Sequence, residues 1–246
     1  MVECSLWGRL KVDPKWRSLG RPFTRARYTR RALWWRPETR VDLQRFLAAA
    51  SGFYHALAAA TGASVIVDSS KIPTFAALLT RAPGLKVHAI HMVRDLRGVV
   101  SSGLRSKAYI PATPASICIL QWYWANVAAE FLKPRAVRFS RLRYEDFVVH
   151  PWRRLEELAS SIAGLPVRCA FLSNRQAQVG AQHHALGSPD KFHCGDILLR
   201  ERKPELGPMM KNIVSFAGAP LLGRYGYFSK TCNRPASESA EYFEGA

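Results

Sequence analysis

The chain has 246 residues, 48% of them hydrophobic, with a formal net charge of +18, a length and apolar content that suit one sizeable globular core. No uncharged apolar run is long enough to span a bilayer, and no charged-then-apolar leader opens the sequence, so a cytoplasmic protein, or a missing true N-terminus, is the expectation. Five scattered cysteines (Cys4, Cys118, Cys169, Cys194, Cys232) show neither a CxxC pair nor His/Cys ligand spacing, which argues against a zinc site or a disulfide framework and leaves buried or idle thiols.

Residues 1–40 read as an irregular basic segment. Residues 1–45 hold twelve Lys/Arg against four Asp/Glu, a net of +8. Such an excess favours an anionic partner, whether nucleic acid, acidic lipid or a phosphorylated or sulfated small molecule. A general bias toward arginine would produce the same balance. Residues 41–61 carry apolar side chains at three- and four-residue intervals and stop at Gly62, which predicts a helix. A buried strand is expected over 64–67, then the polar turn Asp68-Ser69-Ser70-Lys71 and a short helix near 74–80. Pro83-Gly84 mark a turn before a second strand at 87–93.

Asp95 can cap a helix running to about Leu104. Ser102 lies eight residues after Arg94, about 2.2 helical turns, so the two side chains share roughly one side of the element. A long aromatic helix over 115–132 and a third strand over 136–142, ending in Arg-Tyr-Glu-Asp-Phe, come next. Helices are expected over 152–162, after Pro151, and over 208–217. Residues 167–205 are polar and loop-rich, and the Ser-, Glu- and Pro-containing tail beyond Ser229 reads as disordered. The whole reads as a single α/β domain over 1–228.

Four motifs stand in register: Val-Asp-Ser-Ser-Lys-x-Pro at 67–73, Val-Arg-Asp-Leu-Arg-Gly-Val-Val-Ser-Ser at 93–102, Arg-Tyr-Glu-Asp-Phe-x-x-x-Pro at 143–151, and Leu-Leu-Gly-Arg-Tyr-Gly-Tyr at 221–227. Together they resemble the sulfotransferases that use 3′-phosphoadenosine 5′-phosphosulfate, above all the bacterial branch, over residues 40–228. The resemblance implies an α/β fold with a three-layer, mostly parallel sheet, similar to the P-loop NTPase fold. It implies transfer of a sulfuryl group to a hydroxyl or amine on a small molecule or glycan, and no metal.

Arg94 and Ser102 match the family positions that hold the 3′-phosphate, and the chemistry is apt: a guanidinium fork fits phosphate bidentately and a hydroxyl adds a neutral donor. Lys71 matches the cation, or in cousin enzymes the histidine, near the transferred group, where an ammonium stabilises developing negative charge. A solvated lysine at a strand end is the plainer reading. Ser69 and Ser70 either donate to phosphate oxygens or shape the turn. Tyr144 matches a tyrosine near the adenine, or is a core aromatic; Asp146 braces its loop.

The stretch 183–192 resembles a segment that closes over the nucleotide phosphates, with Gly187 retained, Ser188 in place of the usual Asn, and Lys191 where Arg is common. His183 or His184 could serve as a general base, whereas His88 and His91 read as core or edge residues. Trp122, Tyr123 and Trp124 either line an acceptor pocket or pack the core.

The family's strand and Arg-Ser-Gly-Thr-Thr-like loop for the 5′-phosphosulfate have no counterpart in residues 1–63. Cys4, Gly8, Pro14 and Trp16 instead resemble a segment that follows that loop, so the sequence is expected to start inside the fold, without its first βα unit. Two alternatives follow: a catalytically impaired remnant that still binds adenosine 3′,5′-bisphosphate, and a basic nucleic-acid-binding protein, for which no reading motif is present.

Overall fold

The computed structural model describes residues 41–106, 111–164, 166–169, 172–173, 176–179, 195–199 and 203–228. The chain divides into two compact units. Of the described residues, 41–89 and 131–137 fall in the first and the remainder in the second.

The first unit is built on helix α1 (Val41–Thr61) and the short helix α2 (Pro73–Leu79). Leu43, Phe46, Leu47 and Ala50 recur at helical spacing along α1 and are buried against Phe75, Leu78, Leu79 and Ala82. The Phe46 and Phe75 rings meet with centroids 6.3 Å apart. Ser51 Oγ donates to Pro83 O at 2.6 Å, tying α1 to the turn that leads toward the next strand. Gly62 ends α1 in the left-handed conformation, φ +66°, where a side chain would be strained.

One expectation fails here. Residues 64–67 form no strand: Val65 and Val67 are 53% and 82% exposed, and the stretch lies in no sheet. Its β-branched composition suits a strand, but a strand also needs a ladder partner.

Among the described residues, the second unit holds most of the secondary structure. Strand β1 (His88–Val93), which begins at the end of the first unit, leads to helices α3 (Leu96–Gly103) and α4 (Ala115–Glu130) and strand β2 (Arg138–Arg143). β1 and β2 form a two-stranded sheet. The backbone bond from Val137 N–H to Val87 O lies just before both strands. The bond from Asp95 N–H to Glu145 Oε1 lies just beyond both. Starts and ends therefore coincide, and the pair is parallel, joined by the helical crossover that parallel pairing requires. Ala89, His91 and Val93 are buried in alternation with the exposed Ile90 and Met92.

The sheet leads directly into helix α5 (Tyr144–Val149), followed by α6 (Pro151–Ala163), which begins at Pro151 and ends at Gly164 with φ +73°. Strands β3 (Leu172–Ser173), β4 (Gln176–Val179) and β5 (Gly195–Leu198) form an antiparallel three-stranded sheet. Helix α7 (Pro208–Arg224) runs seven residues past the expected end, through the exposed Pro220. Val93, Leu96, Val100, Cys118, Trp122, Val214, Leu222 and Tyr225 form the core of this unit.

The architecture is thus mixed α/β with a small parallel sheet. Of the three parallel strands expected, two form, and the other described sheet is antiparallel. The basic segment 1–40 and the tail beyond Ser229 lie outside the described residues. No described helix is long and apolar enough to cross a membrane.

Candidate functional site

The second unit concentrates charge where β1 ends. Asp95 caps α3, its Oδ1 accepting from Arg97 N–H at 2.8 Å. The same carboxylate takes the Arg97 guanidinium through Nε at 2.9 Å and Nη2 at 2.5 Å. Arg97 is thereby neutralised. Glu145 is also committed: one oxygen accepts from Asp95 N–H at 3.1 Å and the other from the Tyr227 hydroxyl at 2.7 Å. Burial and the Glu145 charge push the Tyr227 phenol above its ordinary pKa, so it stays a donor. Asp146 lies 3.6 Å from Arg143, whose guanidinium stacks on the Tyr227 ring at 4.5 Å. Asp146 is thus paired across the start of its own helix.

Arg94 differs from these neighbours. Its carbonyl oxygen accepts from Trp122 Nε1–H at 2.9 Å, which fixes the backbone. Its guanidinium lies over the Tyr144 ring, 4.7 Å from the centroid. Among the described residues no carboxylate pairs with it. The side chain also folds onto the first turn of α3: a methyl built on Gly98 would stand 3.3 Å from Arg94 Nε. Gly98 and Ser102 are four residues apart and so share one helix face. The half-buried Ser102 hydroxyl therefore stands one turn along the face on which the guanidinium rests. Its neighbour Ser101 points elsewhere, accepting from Glu205 N–H at 2.9 Å.

Tyr144 presents a ring to Arg94 from the first residue of α5. One partner of that ring is therefore a cation. Trp122 and Tyr123 belong to packing: Trp122 is buried in the core, and Tyr123 OH donates to Ala217 O at 2.6 Å. His91 is likewise a core residue, with Nε2 2.9 Å from Asn126 Oδ1.

The remaining described candidates belong to the first unit. Tyr54 OH donates to Asp68 Oδ2, and Asp68 Oδ1 accepts from Ser70 N–H at 2.7 Å. This Asx-type turn is thus moored to α1. Burial and the Asp68 carboxylate raise the Tyr54 pKa well above that of a free phenol. Ser69, Ser70 and Lys71 are exposed. Lys71 is held at φ +63°, and among the described residues it is the one non-glycine with a positive φ. A left-handed lysine carries strain of about 1 kcal/mol or more, the kind of cost that clusters at functional positions. Gly187, Lys191, His183 and His184 lie outside the described residues.

Sequence reasoning missed Trp122, Glu145 and Gly98 as supports of Arg94 and its turn. A glycine inside a helical pattern is the one local signal that pointed at the last of them. Set against family models, curated proteins and solved structures, the chain matches none.

Proposed function

We propose that the carboxyl end of β1 is the ribose-phosphate site of a sulfotransferase that uses 3′-phosphoadenosine 5′-phosphosulfate. One observation carries this reading: an arginine that no carboxylate among the described residues pairs with, backbone-anchored and ring-stacked, lies on the helix face that also bears Ser102. Arg94 supplies the bidentate fork for the 3′-phosphate and Ser102 a further hydroxyl donor. On this reading β1 and β2 belong to a mostly parallel, three-layer sheet of the P-loop kind.

The reaction would join an acceptor hydroxyl or amine to sulfur while the bond from sulfur to the 5′-phosphate oxygen breaks. Adenosine 3′,5′-bisphosphate leaves, and the acceptor's proton passes to solvent or a nearby base. Lys71 would stabilise the charge that builds on the bridging oxygen, with Ser69 and Ser70 as donors beside it. Gly187 and Lys191 would close over the nucleotide. The acceptor is a small molecule or a glycan.

A binding-only protein for adenosine 3′,5′-bisphosphate is the second reading. It is favoured by the exposure of Lys71 on a stretch that lies in no sheet, since a solvated ammonium stabilises developing charge less than a desolvated one.

Thermal melting with and without adenosine 3′,5′-bisphosphate tests the shared claim. Ligand at 100 times Kd should stabilise by about 2.7 kcal/mol, raising Tm by several degrees, and Arg94→Ala and Ser102→Ala should abolish the shift. An unchanged melt of the native protein overturns both readings. Sulfated product, or its absence with a saturated site, separates them.

A further inference from the structure

We propose that Gly98 is a positioning residue for Arg94, a glycine whose missing side chain is the space in which the guanidinium lies. The inference rests on the phosphate-site reading above and adds to it the device that aims the fork.

Gly98 is buried inside α3, and its backbone needs no glycine, since its φ is not positive. In a helix interior alanine is the more stable residue, so the glycine has another reason. A Cβ at position 98 would find as its three nearest neighbours Arg94 Nε at 3.3 Å, Nη2 at 3.7 Å and Cζ at 3.8 Å. All three atoms belong to the one guanidinium. The first distance is tighter than ordinary van der Waals contact. A methyl there moves the guanidinium by a few tenths of an ångström or forces its torsions off their wells.

Little else can give. The Arg94 backbone is anchored by Trp122, and the guanidinium is already in contact with the Tyr144 ring. The displacement would carry the fork away from the α3 face that bears Ser102. The two groups needed to grip one phosphate would then be separated. Gly103, the other glycine of α3, is occupied differently: its Cβ would strike Cys118 Sγ at 2.4 Å. Gly98 alone of the two makes room for a charged group.

Calorimetric titration of native protein, Gly98→Ala, Arg94→Ala and the double variant, with adenosine 3′,5′-bisphosphate and with adenosine 5′-monophosphate, tests this, with each melting temperature recorded. Gly98→Ala should weaken the bisphosphate about threefold to tenfold, the scale of an off-rotamer side chain, and leave the monophosphate unchanged. The double variant should bind like Arg94→Ala alone. Gly98→Ala should melt at or above the native temperature. A lower melt that Arg94→Ala relieves reads the same crowding without ligand and also supports the proposal. A general packing defect would weaken both nucleotides together, and that result overturns it. Equal bisphosphate affinity in native protein and Gly98→Ala overturns the positioning role and leaves the site intact. A native protein that does not prefer the bisphosphate overturns the site, and the positioning role with it.

Discussion

The Arg94 guanidinium lies over the Tyr144 ring with its central carbon 4.7 Å from the ring centroid, joining the end of β1 to the start of α5. A side chain that stacks before ligand arrives gives up less freedom when it binds phosphate. Tyr144→Phe keeps the π face and should bind adenosine 3′,5′-bisphosphate within about twofold of native, on the scale of a cation–π difference between rings. Tyr144→Ala should weaken binding about fivefold to thirtyfold, the loss of a partly desolvated cation–π contact. Titration calorimetry on the three proteins checks the order. Equal affinity for all three would show that the stack does not prepare the site.

Lys71 combines an exposed ammonium with a left-handed backbone. Asparagine tolerates that conformation and carries no charge, so Lys71→Asn should melt within about 2 °C of native, as a surface change within ±0.5 kcal/mol does. Sulfuryl transfer by the same variant should fall about a hundredfold, the size of a lost electrostatic contact to a transition state. A melting scan and a product assay on one preparation separate the two effects. Full activity in Lys71→Asn would remove Lys71 from the reaction.

Gly103 sits where a Cβ would meet the buried Cys118 Sγ at 2.4 Å. Gly103→Ala should therefore destabilise by about 1–3 kcal/mol through overpacking. In Cys118→Ala the thiol is gone, and the next neighbours of the new methyl are the Cys118 Cβ at 3.9 Å and the Thr113 Cβ at 4.0 Å. Chemical denaturation of the four proteins should give a strongly non-additive cycle. Additive losses would place the close approach elsewhere.

His91 sets a pH dependence. Burial drives its pKa below the ordinary 6.5; the Asn126 bond and the Glu130 charge oppose this, and the Arg141 charge adds to it. Phe139 and Tyr225 close the remaining ring contacts, and Nδ1 has no partner for a second proton among the described residues. The folded protein then binds fewer protons than the unfolded chain just below pH 6.5. Stability should be full above that value and fall as pH drops through it toward the lower folded pKa. Denaturation midpoints at pH 7.5 and 5.5 measure the loss, and His91→Gln should reduce the difference. An unchanged difference in the variant would assign the dependence to other groups.

The sequence was most legible where one pattern sufficed. The apolar spacing along 41–61 gives α1 its observed bounds, and Asp95 stands as the cap its position implied. The stretch 64–67 misled because composition reports only that a strand would be tolerated; pairing depends on a neighbour elsewhere. β3 and β4 span two and four residues, too short and polar for alternation to register. The helix expected over 208–217 runs on to Arg224, through an exposed Pro220. That Arg94 and Ser102 fall on one side of their element could be read from their spacing. That Asp95 pairs with Arg97 and not with Arg94 could not, because both arginines lie within two residues of it in sequence. The space over Gly98 is likewise set by how Arg94 folds back in three dimensions.

The most direct trial is a crystal structure of the protein grown with adenosine 3′,5′-bisphosphate. The account predicts the 3′-phosphate at the end of β1, with two Arg94 N–H···O contacts of about 2.7–2.9 Å and a third contact from Ser102 Oγ. A bisphosphate bound elsewhere, or seated there while Arg94 makes no contact with the 3′-phosphate, would contradict it.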